Sequence, residues 1–378
     1  MNPRTKLSLV LFFLAAFVGF PAQMRGMTPP RGPDFNATAP AGISYPHSAV
    51  EAHQIGVGEE KLFLFQPARP SPASAPVVVL LHGWFGTEPG YYRGWIDHLC
   101  RSGKIVIFPC YQGTGEPMKR YTGNAARSIK EAFRFLFDHK RMIPDRDQYS
   151  LIGHESGAVI AANLAATARP YKLPVPGALF LIEPSRRPGG VESEGLEVTD
   201  LSGIVPTTKL VLAVGEDDSM NGIETARDFF YAADNVPLSQ KNFLTMLSDM
   251  RGTPALVADH LAPLSPLEEP LQRALEKRRL EFVGMWRPHA RHGGLLPEDT
   301  HDWRISAGND PMVARAVRSH GVDAMDFLGL WRVFDDLWNA AFAHDDGLGA
   351  LDEGDSACFM GVWSNGTPIR GFLATKRP

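Results

Sequence analysis

Six short runs along this chain are apolar without alternation, and they constrain the fold more than any other feature. They include Lys61–Phe65, Val77–Leu81, Lys104–Pro109, the segment entering Gly153, Gly177–Pro184 and Lys209–Val214. A run of four to eight apolar residues bounded by turn signals is a strand buried on both faces. Asn242–Leu247 reads as a further strand. Between the runs lie helical stretches. Asn124–His139 carries Ile129, Phe133 and Leu136 or Phe137 on one face, and Ala158–Ala168 is a strong helix former. Short buried strands alternating with helices predict an α/β fold with a doubly wound, mostly parallel sheet. In such sheets, sites form beyond the carboxyl ends of strands.

Three polar motifs fall at such ends. After Leu81 comes His82-Gly83-Trp84-Phe85-Gly86. After Val214 comes Gly215-Glu216-Asp217-Asp218. Between them, Ile152 leads into Gly153-His154-Glu155-Ser156-Gly157 and then directly into the alanine-rich helix. Glycines four residues apart let a strand-to-helix turn pass close to its neighbours. The residue midway between Gly153 and Gly157 is Glu155. Centring the turn on Ser156 would place His154 where a small residue is needed. Read without chemistry, the segment is a plain strand–glycine–helix turn.

With Asp259-His260-Leu261-Ala262-Pro263 downstream, these motifs make Leu62 to Ala262 resemble the α/β-hydrolase superfamily, nearest its dienelactone-hydrolase-like and polyester-hydrolase-like branch. The order of elbow, acid and histidine matches that family. The resemblance implies a hydrolase-like protein acting on a small ester or related electrophile. Glu155, Asp218 and His260 would be its catalytic group, and backbone amides of Trp84 or Phe85 and of Ser156 its oxyanion hole. Asp218 is preferred over Asp217 because the family's acid follows its glycine by three. The departure is Glu155, where the family carries serine. Three readings stay open. Glu155 is itself a nucleophile, as aspartate is in relatives that open epoxides or displace halides. Or the protein is a catalytically inactive homologue that binds a ligand or partner, with the Glu155 carboxylate curled into its own oxyanion hole. Or Ser156 serves in a distorted turn. In the first two, Tyr91 and Tyr92 would line an apolar pocket with Trp84 and Phe85.

The remaining composition excludes more than it assigns. The net charge is −4, with no basic tract, so nucleic acid is not an expected partner. No cofactor fingerprint and no metal-ligand spacing is present. His289, His292 and His301 read as surface residues of a Pro- and Gly-rich tail. Of three cysteines, Cys100 and Cys110 would be held about 20 Å apart by the intervening strand, so no disulfide is expected.

The domain reading follows the same lines. Arg4 and Lys6 precede an apolar run from Leu7 to Phe20, the pattern of an export signal or short anchor over residues 1–26. Residues 27–46 read as a linker, 47–263 as the core, and 264–378 as an extension whose stretch Val322–Phe342 packs as a final helix. A membrane enters only through the N-terminal segment. Native expression is therefore expected to deliver the protein across the inner membrane, processed near residue 26 or held by it. N-terminal sequencing of the exported fraction checks this, and an intact soluble precursor in the cytoplasm would refute it.

Overall fold

The computed structural model describes residues 27–30, 45–113, 115–139, 142–188, 195–220, 222–266, 321–342, 348, 351 and 358–378, with the backbone of 294–295. The N-terminal segment 1–26, residues 31–44 of the expected linker, and His289, His292 and His301 lie outside them.

One sheet organises these residues. Its strands are β1 (Ala49–Ile55), β2 (Leu62–Ala68), β3 (Ser74–Leu81), β4 (Ile105–Pro109), β5 (Ile143–His154), β6 (Ala178–Ile182), β7 (Lys209–Gly215), β8 (Lys241–Met246), β9 (Gly294–Leu295) and β10 (Phe372–Thr375). They run in the order β10-β8-β7-β6-β5-β3-β4-β2-β1-β9. Strands β4, β3, β5, β6, β7 and β8 are parallel. β2 and β1 continue one edge antiparallel, and β10 closes the other. This is a doubly wound sheet of the α/β-hydrolase type. The chain runs from β3 to β4 on one side and returns to β5 on the other, so a crevice opens where the winding reverses.

The unbroken apolar runs follow from burial on both faces. On β3, Val78 and Leu80 face one core while Val77, Val79 and Leu81 face the other. β4 and β7 divide in the same way, with Val106 and Phe108 against Ile105 and Ile107, and Val211 and Ala213 against Leu210, Leu212 and Val214. The second face is covered by α2 (Tyr121–His139), α3 (Ser156–Ala166) and α5 (Gly222–Ala232); a short α4 (Ala168–Tyr171) follows α3. The first is covered by α1 (Arg93–Arg101) and α6 (Trp331–Phe342), the latter entered through a π-helical turn at Met325–Leu330. Strands β1 and β10 had no apolar run to announce them. β1 alternates buried and half-exposed residues, and β10 is four residues at an edge.

The described residues of 321–342 and 358–378 pack on this core. β10 pairs with β8. Trp331 of α6 packs on Trp95 at 6.1 Å and stacks on His98 at 5.0 Å, and Phe334 meets Phe180 at 6.4 Å. Met27 and Thr28 are also bonded in, their carbonyls accepting from the Thr253 and Ser364 amides. None of the three cysteines is in a disulfide. Among the described residues no helix is long and apolar enough to cross a membrane. Trp331→Ala is expected to cost about 3–5 kcal/mol, the range for truncating a buried aromatic. Denaturant unfolding measures it, and a loss under about 1 kcal/mol would show α6 to lie outside the cooperative core.

Candidate active site

The turn at Gly153–Gly157 is built by close backbone approach. A Cβ on Gly153 would fall 2.3 Å from the Gly157 carbonyl oxygen, and one on Gly157 would fall 2.1 Å from that of Leu81. Side chains are therefore excluded at both positions, and α3 starts hard against the ends of β3 and β5. Closing this turn holds Glu155 at φ 56°, ψ −116°, a region that costs a non-glycine residue about 1–3 kcal/mol. Its amide donates to the Ile182 carbonyl at 2.9 Å, and its carbonyl accepts from Ala158 and Ser185. Phe85 (φ 61°) and Glu183 (φ 48°) carry the same kind of strain at the ends of β3 and β6. Among the described residues, three of the five non-glycine residues with positive φ thus ring one crevice, and such strain gathers where surrounding structure over-determines a position.

Glu155, Asp218 and His260 meet in this crevice. Glu155 Oε1 lies 3.0 Å from His260 Nε2. Asp218 Oδ1 accepts from His260 Nδ1 at 3.0 Å and from the Met220 amide at 2.8 Å. The neighbouring Asp217 turns away and accepts from Ser248 Oγ. The other Glu155 oxygen, Oε2, accepts from the Trp84 amide at 2.7 Å. A Cβ on Gly83 would lie 2.4 Å from that oxygen, so the loop after β3 leaves room for the carboxylate only because residue 83 is glycine.

Two expected contributors point elsewhere. The Phe85 amide donates to Gln112 Oε1 at 2.8 Å, so Trp84 alone of that pair faces Glu155. The Ser156 hydroxyl is buried against Gln112 Nε2 at 3.2 Å and the His82 carbonyl at 3.5 Å. Those groups belong to the loops after β4 and β3, and the Ser156 side chain makes no bond to His260. As first residue of α3, Ser156 does keep an amide with no intrahelical acceptor.

A relay ties the histidine loop to the loop after β3. The Gly83 amide donates to Tyr92 Oη at 2.8 Å, and Tyr92 Oη donates to His154 Nδ1 at 2.9 Å. His154 Nε2 sits 3.0 Å from the His260 carbonyl. A carbonyl only accepts, so Nε2 carries the proton of His154 and Nδ1 is the acceptor. Burial pushes His154 down to about 4, which keeps it neutral for this role. Tyr92 therefore fixes the relay and does not line an apolar pocket.

Electrostatics separate the members further. Burial alone would depress His260, but the Asp218 and Glu155 carboxylates override it and push the imidazole up to about 11. Burial would raise Asp218, and the hydrogen bond and charge of His260 lower it instead. Glu183 at the end of β6 is fully buried, with Oε2 at once 3.6 Å from His154 Nε2 and 3.8 Å from His260 Nδ1; burial first, then Asp218, raises it well above the carboxylate range. The sequence reading missed Glu183, although it stands where Glu155 and Asp218 stand, at the end of an apolar run. His154, Tyr92 and Gln112 had no comparable signal.

No family model and no curated protein sequence matches this chain. Two solved structures to which it is similar are both of esterase B from Lactobacillus rhamnosis. One, inhibited by a C6-C4 SN3 compound, is 17% identical over 55% of this chain and 78% of that one, with a TM-score of 0.37. The other, the C4-C4 SN3 tributyrin phosphonate-inhibited form, is 16% identical over 53% and 75%, with a TM-score of 0.38. The site is therefore read from its own geometry.

The charges of the site imply a pH dependence with a definite sign. His260 is raised from 6.5 to about 11, so its contribution to stability is full below pH 6.5 and lost as pH climbs toward 11. Asp218 is lowered, so its contribution is present above the ordinary carboxylate range and lost in acid. The stability difference between wild type and His260→Gln is expected to be greatest just below pH 6.5 and to shrink on both sides. Denaturant unfolding across that range measures it, and a difference that grows toward pH 11 would contradict the assignment.

Proposed function

We propose that this protein is a hydrolase-type enzyme acting on a small ester or related electrophile, with Glu155 as nucleophile, His260 as acid and then base, and Asp218 orienting the imidazole. The observation that carries the reading is the division of labour within one carboxylate. Oε2 is held by the Trp84 amide while Oε1 faces His260 Nε2. Attack by Oε1 on the electrophilic carbon breaks that carbon's bond to a leaving oxygen, which departs with the electron pair and takes the His260 proton. Glu155 is left as an ester or anhydride whose carbonyl oxygen, Oε2, is already on a backbone donor. Neutral His260 then removes a proton from water as the water oxygen adds to Cδ of Glu155. Negative charge develops on Oε2, where the Trp84 amide opposes it. Collapse expels the product oxygen, which takes the remaining carboxyl proton and restores the Glu155–His260 pair.

Removal of the Glu155 negative charge in the first step also removes one of the groups that hold His260 protonated. The imidazole thus becomes a better base when the second step needs one. Asp218 remains throughout, as an orienting acid should.

A second reading rests on a different observation. Both Glu155 oxygens are already engaged, and Glu155 and His260 are only 6% and 5% exposed. A carboxylate that occupies its own oxyanion hole and neutralises its own base describes a catalytically inactive homologue acting as a binding protein.

The two readings separate in heavy-oxygen water. Wild type, Glu155→Gln, Glu155→Ser and His260→Ala are assayed on small activated esters, epoxides and alkyl halides. If Glu155 is the nucleophile, turnover deposits label in its carboxylate, seen by peptide mass spectrometry, and Glu155→Gln and His260→Ala each lose at least about 10³-fold. Glu155→Ser is expected to hydrolyse esters about 10³–10⁴-fold above water, because turn, amide donor, acid and base are in place. Turnover that survives Glu155→Gln and ends in Ser156→Ala would transfer the role to Ser156. No turnover by any folded variant favours the binding protein.

A further inference from the structure

We propose that Glu183 is a second orienting acid for His260, and that it and Asp218 form a carboxyl pair sharing one proton behind the imidazole, so that either can hold it. The inference deepens the reading of His260 as the base, but it concerns the imidazole itself and is tested there.

The backbone fixes where this carboxyl goes. Glu183 follows β6, its amide extending the ladder to the Ala213 carbonyl at 2.8 Å, and it then turns at φ 48°. Gly215 lies against the Ala258 carbonyl, where a Cβ would fall 2.1 Å away and 3.0 Å from Glu183 Oε1, so the end of β7 sits directly beside the carboxyl. The side chain is fully buried; the Gly215 amide faces the carboxyl, and neither oxygen completes a well-formed hydrogen bond among the described residues. Burying a carboxyl this way costs more than burying an apolar side chain of the same shape. Packing alone does not account for it.

What it faces does. The groups around it are His260 and Asp259 from the loop after β8, Asp218 from the loop after β7, His154 at the end of β5 and Tyr92 before α1, with Glu155 across the imidazole. Of these, His154 is committed to the relay. Glu183, Asp218 and His260 each direct an atom into a common space, all within 4.8 Å of one another. Asp218 Oδ2 is likewise buried without a hydrogen bond. Two buried carboxyl groups beside one cation cannot both be charged cheaply, and the ordinary resolution is one proton between the pair. Asp218, bonded to Nδ1, keeps the charge, and Glu183, at 3.8 Å, keeps the proton. Loss of the Asp218 charge frees Glu183 to ionise against the same nitrogen.

The test uses the full chain with isotope-labelled histidine, and NMR follows the His260 imidazole through pH. Glu183→Gln is expected to leave His260 strongly raised. Asp218→Asn is expected to lower it by less than half of the shift seen in the Asp218→Asn, Glu183→Gln double variant, where Glu155 alone still faces the imidazole. Infrared spectroscopy of wild type at neutral pH is expected to show a protonated-carboxyl stretch that Glu183→Gln removes, and this readout stands if Asp218→Asn does not fold. An Asp218→Asn imidazole as low as the double variant would overturn the proposal. So would a wild-type spectrum with no protonated carboxyl, or a stoichiometric divalent metal lost on Glu183→Gln, which would make the three groups ligands. None of these outcomes depends on turnover, so the proposal and the hydrolase reading can fail separately.

Discussion

The architecture of the crevice depends on one close approach, the packing of α3 against the ends of β3 and β5. With Cβ positions 2.1–2.3 Å from backbone oxygens, Gly153 and Gly157 admit no substitution without moving the helix. Everything chemical follows from that contact. The strand must turn within one residue, so Glu155 takes a conformation that side chains avoid. Its side chain is then thrown forward into the crevice, while the flanking His154 and Ser156 point to opposite sides. His154 joins the relay to Tyr92, and Ser156 settles beneath the loop after β3. Three consecutive polar residues acquire three environments from a single turn.

A buried charge balance is the second dependence. The crevice holds one cation, on His260, between the carboxylates of Glu155 and Asp218, with a third acid behind them. Isolated, any of these charges would be expensive to bury. Together they compensate, and the shifts record it, since the imidazole rises while Asp218 falls. Removal of one member of such a set leaves the others uncompensated. The same logic ties resting state to chemistry: a bond formed at Glu155 takes away a charge that His260 relies on, and the imidazole must respond.

A glutamate at the apex of the turn decides what the Trp84 amide can stabilise. A hydroxyl leaves the amide of Trp84 free for a substrate oxygen. A carboxylate brings its own oxygen to that donor, and Gly83 is the residue that lets it fit. The donor is then engaged by the carboxylate itself, an arrangement compatible with the proposed attack by Glu155. The same saturation describes a site closed to chemistry.

Much of this was legible in the sequence. The apolar runs specified a parallel sheet buried on both faces, because only strands with two dry sides need no alternation. The glycine spacing marked the turn and put Glu155 at its apex, since the requirement is local and steric. The resemblance, whose acid follows its glycine by three, pointed to Asp218 rather than Asp217, and Asp218 is the one bonded to His260. Strands β1 and β10, near or at the ends of the sheet, were not legible, one half-exposed and the other short, because the periphery of a sheet demands little of its sequence. Tertiary structure alone decided the rest. Only the packed fold brings the end of β6 behind His260, assigns the Trp84 amide to Glu155 and the Phe85 amide to Gln112, and turns Tyr92 into a link between two loops. Those outcomes depend on distances between segments far apart in the chain, and on which buried polar groups find partners. Local residue patterns carry no record of either.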